Sequence, residues 1–216
     1  TSCIYLYVNG QFVGYSEDSK VATEFDVTNY VKPGESNLIT FQVFRWCDGS
    51  WSEDQDFWRL SGVARDSYLF ARDTDKSIND LRITPDLTDN YTNGMLTIDA
   101  EVGLGVKEIH YSLIAPNGVL EKPCTQTVVV NANPRARVQS TTITLANPLK
   151  WTAETPNLYT LLAEVYVEVP TAKKSKKAKN VKPELCLLSS TSYKVGFRKV
   201  EIKNAQLLVN GQPIYI

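Results

Sequence analysis

The stretch Leu96-Thr97-Ile98-Asp99-Ala100-Glu101-Val102 decides the fold class. Leu96, Ile98, Ala100 and Val102 occupy every second position, with polar Thr97, Asp99 and Glu101 between them. Successive side chains of an extended chain point to opposite faces, so this pattern predicts a strand with one face in a core and one in water. Outward from it, Ile109, Tyr111 and Leu113 repeat the alternation, and Pro116-Asn117-Gly118 turns the chain. Further strands are expected at 78–83, 126–131, 138–145, 158–169 and 185–197, with turn signals about every ten residues and almost no helical period. The chain reads as all-β.

Seven short strands with turns between them are the pattern of an immunoglobulin-like β-sandwich, placed at residues 73–202. The preceding 72 residues have a different texture, holding three of the four Trp residues and an acidic run. Leu6 and Val8 lead into Asn9-Gly10 and out through Phe12, the strongest short hairpin signal. In residues 38–46, Ile39, Phe41 and Val43 share one face and Leu38, Phe44 and Trp46 lie on the other, so both sides are expected to be covered. The chain opens inside one strand pattern and stops inside another after Pro213, which predicts a piece of a larger protein.

A net charge of −1, from 23 Lys and Arg against 24 Asp and Glu, gives no basic field for nucleic acid. No run approaches the ~20 apolar residues of a membrane helix. Partners of both kinds are therefore excluded as expectations, and the compartment stays unassigned. Cys3, Cys47, Cys124 and Cys186 are scattered without a C-x-x-C pair, so the spacing suggests neither a zinc site nor a redox motif, and buried thiols are expected. His110 is the one imidazole, which rules out a His-based triad within the chain, and the alternation puts it on the polar face beside Glu108 and Ser112. Residues 171–180 carry five Lys and read as a solvated loop.

The densest polar constellation is Asp48-Gly49-Ser50-Trp51-Ser52-Glu53-Asp54-Gln55-Asp56-Phe57-Trp58-Arg59. Carboxylates accept hydrogen bonds from sugar hydroxyls and clustered oxygens hold hard cations, while Trp rings stack on pyranose faces. A sugar site is chemically sensible. A turn whose Asp residues cap backbone amides and pair with Arg59 or Arg65 fits the same residue types. Glu53 and Asp56 alone do not make a glycosidase, because the acid of such a pair needs a walled, water-poor cleft to raise its pKa.

The run from Arg45 through this loop to Leu60-Ser61-Gly62-Val63-Ala64-Arg65-Asp66 resembles the signature of glycoside hydrolase family 2, in its β-galactosidase branch. Val8-Asn9-Gly10, Val13-Gly14-Tyr15-Ser16 and Glu24-Phe25-Asp26-Val27-Thr28 resemble the sugar-binding domain upstream of it. Trp151 to Tyr159, Val195-Gly196-Phe197-Arg198 and Leu208-Val209-Asn210-Gly211-Gln212-Pro213-Ile214 resemble the end of the family's immunoglobulin-like domain and the hairpin after it. Trp51-Ser52, where the family usually has Tyr-Leu, and Ala64, where a bulkier apolar residue is usual, depart from the pattern.

The resemblance implies that residues 1–72 are part of a jelly-roll sugar-binding domain. It also implies that residues 203–216 are a hairpin leading to a (β/α)8 barrel outside this chain, which holds both catalytic glutamates. No catalytic residue is then expected here. By the same resemblance Asp56 reaches the galactose 6-hydroxyl and a sodium ion, while Glu53, Asp54, Trp58 and Arg59 shape the loop. For the parent it implies a retaining hydrolase of terminal β-D-galactosides that uses sodium and magnesium and assembles as a homo-oligomer. An autonomous carbohydrate-binding or adhesion sandwich is the alternative, and a structural spacer a third.

Overall fold

Asn9 and Gly10 both take left-handed backbone, with φ of 52° and 79°, and close β1 (Cys3–Val8) onto β2 (Gln11–Glu17) as a two-residue hairpin. The computed structural model describes residues 2–18, 21–52, 60–130, 137–169 and 184–214. Two compact units divide the chain, Thr1–Phe70 and Ala71–Ile216.

In the first unit β3 (Ile39–Phe44) pairs with β1, giving an antiparallel sheet of order β2-β1-β3. Tyr7 faces Phe12 but Leu6 faces Gly14, so Val13 is the extra residue of a bulge that shifts the register of everything after it. Gly14 leaves room for a ring: a Cβ there would sit 2.8 Å from Phe25. Leu6 and Val8 are buried, but the expectation that both faces of residues 38–46 are covered is not met. Phe41, Phe44 and Trp46 are 45%, 43% and 57% exposed. Among the described residues this unit forms one layer, which cannot sandwich both faces of a strand. The rings shelter one another instead: Tyr5 lies 4.5 Å from Tyr15 and 5.7 Å from Phe44, centroid to centroid.

The second unit is the expected sandwich. One sheet has the order β4-β5-β8, from β4 (Ile78–Thr88), β5 (Asn93–Val102) and β8 (Val138–Leu145). The other has the order β10-β9-β6-β7, from β6 (Val106–Ile114), β7 (Leu120–Val129), β9 (Tyr159–Val169) and β10 (Glu184–Val195). All neighbours are antiparallel. Alternate residues of β5 and β9 are buried along nearly their whole length, and Ile98, Leu161 and Ala163 are fully enclosed. Strand β7 starts at Leu120, six residues before expected, because the tight Asn117-Gly118 turn lets Ala115 accept from Gly118 at 2.9 Å and pairing resumes at once. The bulge that leaves Leu188 unpaired interrupts β10 against β9.

Beyond the sandwich, β11 (Val200–Lys203), β12 (Gln206–Val209) and β13 (Gln212–Pro213) form a three-stranded meander, so the hairpin expected from 203 begins at Val200. Its two corners, Asn204-Ala205 and Asn210-Gly211, are left-handed. The Lys-rich residues 171–180 lie outside the described residues.

Phe197, fully enclosed, covers Gly94 so closely that a Cβ on Gly94 would meet its ring at 2.9 Å. Tyr111, 1% exposed, has a hydroxyl without a hydrogen-bond partner among the described residues, and burial pushes its phenol up to about 12. Replacing Gly94 by Ala is expected to cost ~1–3 kcal/mol through overpacking. Tyr111→Phe is expected to leave stability unchanged or raise it by up to ~1 kcal/mol, since it removes a buried group with nothing to bond. Urea midpoints at constant slope measure both.

Candidate functional site

The acidic run begins as a single helical turn, α1 (Gly49–Ser52). Its Ser50 is 4% exposed and its hydroxyl accepts from the Cys47 amide at 3.0 Å, while the Ser50 amide donates back to the Cys47 carbonyl at 3.1 Å. Asp48 caps the turn by accepting from the Gly49 amide at 3.1 Å, so the turn-capping use of Asp anticipated above holds at this position. Trp51 stands 87% exposed. The five residues singled out in the sequence, Glu53, Asp54, Asp56, Trp58 and Arg59, lie outside the described residues, as does the sodium ligation expected of Asp56.

What the structure does describe is the root of that loop. The register after the Val13 bulge sets Glu17 opposite Cys3, and β3 runs past Cys3 toward Cys47. Glu17, Cys47 and Asp48 thereby converge, with one ligand atom from each lying within 4.8 Å of the others. Gly49 packs close against this group: a Cβ there would sit 3.1 Å from Glu17 Oε2, so the carboxylate would have to give by a few tenths of an ångström. Both carboxylates are exposed.

Tyr15 donates its hydroxyl to Glu17. That bond, and then partial burial, holds the Tyr15 phenol above its ordinary 10.0. A hydrogen bond with the Glu17 carboxyl, followed by the Gly49 amide, holds the Asp48 carboxyl below its ordinary 3.8. Burial, ahead of the opposing influence of the Tyr15 hydroxyl, raises the Cys3 thiol above its ordinary 9.0. Sequence spacing missed this cluster; counting register from the Asn9-Gly10 turn, with the bulge included, is what finds it.

In the second unit the motif stretches meet. Phe197 accepts from the Trp151 amide at 2.9 Å, Gly196 lies against the Trp151 ring, and the Arg198 guanidinium stands 4.5 Å over that ring. Asn210 donates to the Trp151 carbonyl at 3.0 Å and accepts from the Lys199 amide at 2.9 Å, tying the meander to the same joint. His110 is on the polar face as expected, 2.8 Å from Glu108 Oε2 and stacked on Tyr166.

Two family profiles match: the glycosyl hydrolases family 2 sugar binding domain over residues 1–73, and glycosyl hydrolases family 2 over residues 76–198. Curated relatives include the β-galactosidase of Priestia megaterium, 37% identical over 100% of this chain and 20% of its own length. The β-galactosidase of Vibrio vulnificus strain CMCP6 is 38% identical with the same coverage, so the chain spans 20% of the length of such relatives. Solved structures of like fold include Bacteroides uniformis β-glucuronidase 3, with a TM-score of 0.70 at 18% identity, covering 99% of this chain and 26% of that one. A β-glycosidase from Bacteroides vulgatus has a TM-score of 0.70 at 21% identity, covering 98% and 24%.

The Glu17 links predict a paired outcome. A depressed carboxyl favours the folded state at neutral pH and loses that contribution as pH falls through its folded value; a raised phenol keeps its contribution until alkali. In Glu17→Ala the Asp48 carboxyl is expected to titrate nearer 3.8 and the Tyr15 phenol nearer 10.0. Carboxyl carbon shifts and tyrosinate absorbance report the two, and an unmoved pair would break both links.

Proposed function

The chain belongs to glycosyl hydrolase family 2, and on that premise we propose that it is the non-catalytic N-terminal portion of a retaining β-galactosidase acting on terminal β-D-galactosides. The observation that carries this reading is identity of 37% to a β-galactosidase along the whole chain, the acidic run included. In this reading the chain buttresses a catalytic barrel, lends one wall to the sugar pocket and contributes to subunit contacts.

Chemistry supports leaving catalysis to the barrel. Glu17 and Asp48 come close enough to suggest a carboxylate pair, yet both are exposed, and Asp48 is shifted down rather than up. A general acid needs the opposite environment. Asp56 is the residue proposed to touch sugar, accepting from the galactose 6-hydroxyl. A carboxylate oxygen also suits a hard monovalent cation, so Asp56 would hold sodium, with Glu53, Asp54, Trp58 and Arg59 shaping the loop. Magnesium has no proposed ligand in this chain.

A second reading, an autonomous sugar-binding module, draws on the ring cluster in the first unit, where Phe12 is 50% and Phe44 43% exposed. Calorimetric titration of the 216-residue chain with galactose separates the two, because half a pocket binds no sugar and a lectin does. In the full-length enzyme Asp56→Ala is expected to lower kcat/KM about 100-fold without lowering Tm. Charge-assisted hydrogen bonds are worth ~1.5–3 kcal/mol each. The chain by itself is expected not to hydrolyse nitrophenyl galactoside; turnover that co-elutes with it would overturn the assignment.

A further inference from the structure

We propose that Cys3 and Cys47 are a reversible dithiol–disulfide pair that fastens the first strand to the root of the acidic loop. The two are remote in sequence and adjacent in space. Cys3 opens β1 and pairs in register with Phe44 at the end of β3; the chain then bends through α1, where the Ser50–Cys47 bonds hold Cys47 back toward β1. Both cysteines flank Glu17: Cys3 faces it in the sheet register, and the Cys47 sulfur lies within 4.8 Å of a Glu17 carboxylate oxygen. Cys3 is 6% exposed and Cys47 is half-buried, so one sulfur is open to a small reagent and the other waits behind it. Cys124 is fully enclosed and donates to the Thr144 carbonyl at 3.5 Å, leaving it outside any such exchange.

The chemistry balances with glutathione disulfide as oxidant. Cys47, as thiolate, attacks one sulfur of glutathione disulfide; that S–S bond breaks, one glutathione thiolate leaves, and a mixed disulfide forms on Cys47. Cys3, once deprotonated, attacks the Cys47 sulfur and expels the second glutathione. Two protein thiols lose two protons and two electrons, and the oxidant becomes two glutathione thiols. Burial favours the protonated Cys3, Tyr15 opposes it, and Cys47 and Glu17 add to it; the net rise makes the second step the slow one and lets it quicken as pH rises. The pairing does not rest on the hydrolase reading.

The test equilibrates the full-length protein in glutathione buffers of graded oxidised-to-reduced ratio, quenches in acid, unfolds, alkylates free thiols and analyses the digest by mass spectrometry. A cross-linked peptide joining Cys3 to Cys47 is expected, rising from a trace to most of the protein in a single transition. Closure is expected to speed up about tenfold per pH unit while Cys3 remains mostly protonated. Cys3→Ser is expected to stop at glutathione on Cys47, and Cys47→Ser to leave Cys3 unreacted. Complete alkylation of both thiols at the most oxidising ratio overturns the proposal. So does glutathione that accumulates on Cys47 of the unmutated protein without the cross-link.

Discussion

A ring pressed against a residue with no side chain holds the second unit together: Phe197 covers Gly94 where even a methyl group would collide. Interiors are packed so tightly that such a contact tolerates one arrangement of its neighbours. Tyr159 meets the Phe197 ring edge-on at 5.2 Å and accepts from the Leu149 amide at 2.9 Å, which anchors the segment leading to Trp151. Trp151 then receives Gly196, Arg198 and Asn210. Core, connecting segment and C-terminal meander are thus fastened at one joint, and the direction in which the meander leaves the sandwich follows from it.

The first unit depends on a subtler device. Without the Val13 bulge, straight counting from the Asn9-Gly10 turn would set Ser16 across from Cys3; with it, Glu17 arrives there and meets Asp48. A one-residue slip exchanges the faces of every later side chain, so the bulge decides whether a carboxylate or a hydroxyl stands at the root of the acidic loop. In the proposed role as one wall of a pocket, that root fixes where the loop begins.

Much of this was legible beforehand. Strict alternation at 96–102 and 109–113 identified strands that are half-buried, because period two has one structural meaning when a single face is covered. All seven sandwich strands appear, and the Asn-Gly pairs turn where positive φ is required. The order-specific run from Arg45 to Asp66 carried the family. Burial of 38–46 was misjudged, since apolar residues on both faces indicate what a strand could bury, not whether a second layer is there. The Cys3–Cys47 neighbourhood was invisible to spacing rules, which look for ligands close in sequence, whereas sheet register brings together residues far apart. For the loop from Glu53 to Arg59, residue types left a sugar site and a capped turn both open, and only the resemblance gave each residue a role.

Strand β10 is 12 residues long and, among the described residues, has a sheet neighbour on one side, with Leu185, Leu187 and Leu188 at 39%, 50% and 49% exposure. A straight apolar border of that length is a template on which another chain can lay itself down. The surplus Leu188 breaks the rhythm of donors and acceptors midway and increases the local twist, so an incoming strand could match one half of the border but not the other. An irregularity of one residue therefore makes this border a poorer template for strand addition than an unbroken one of the same length.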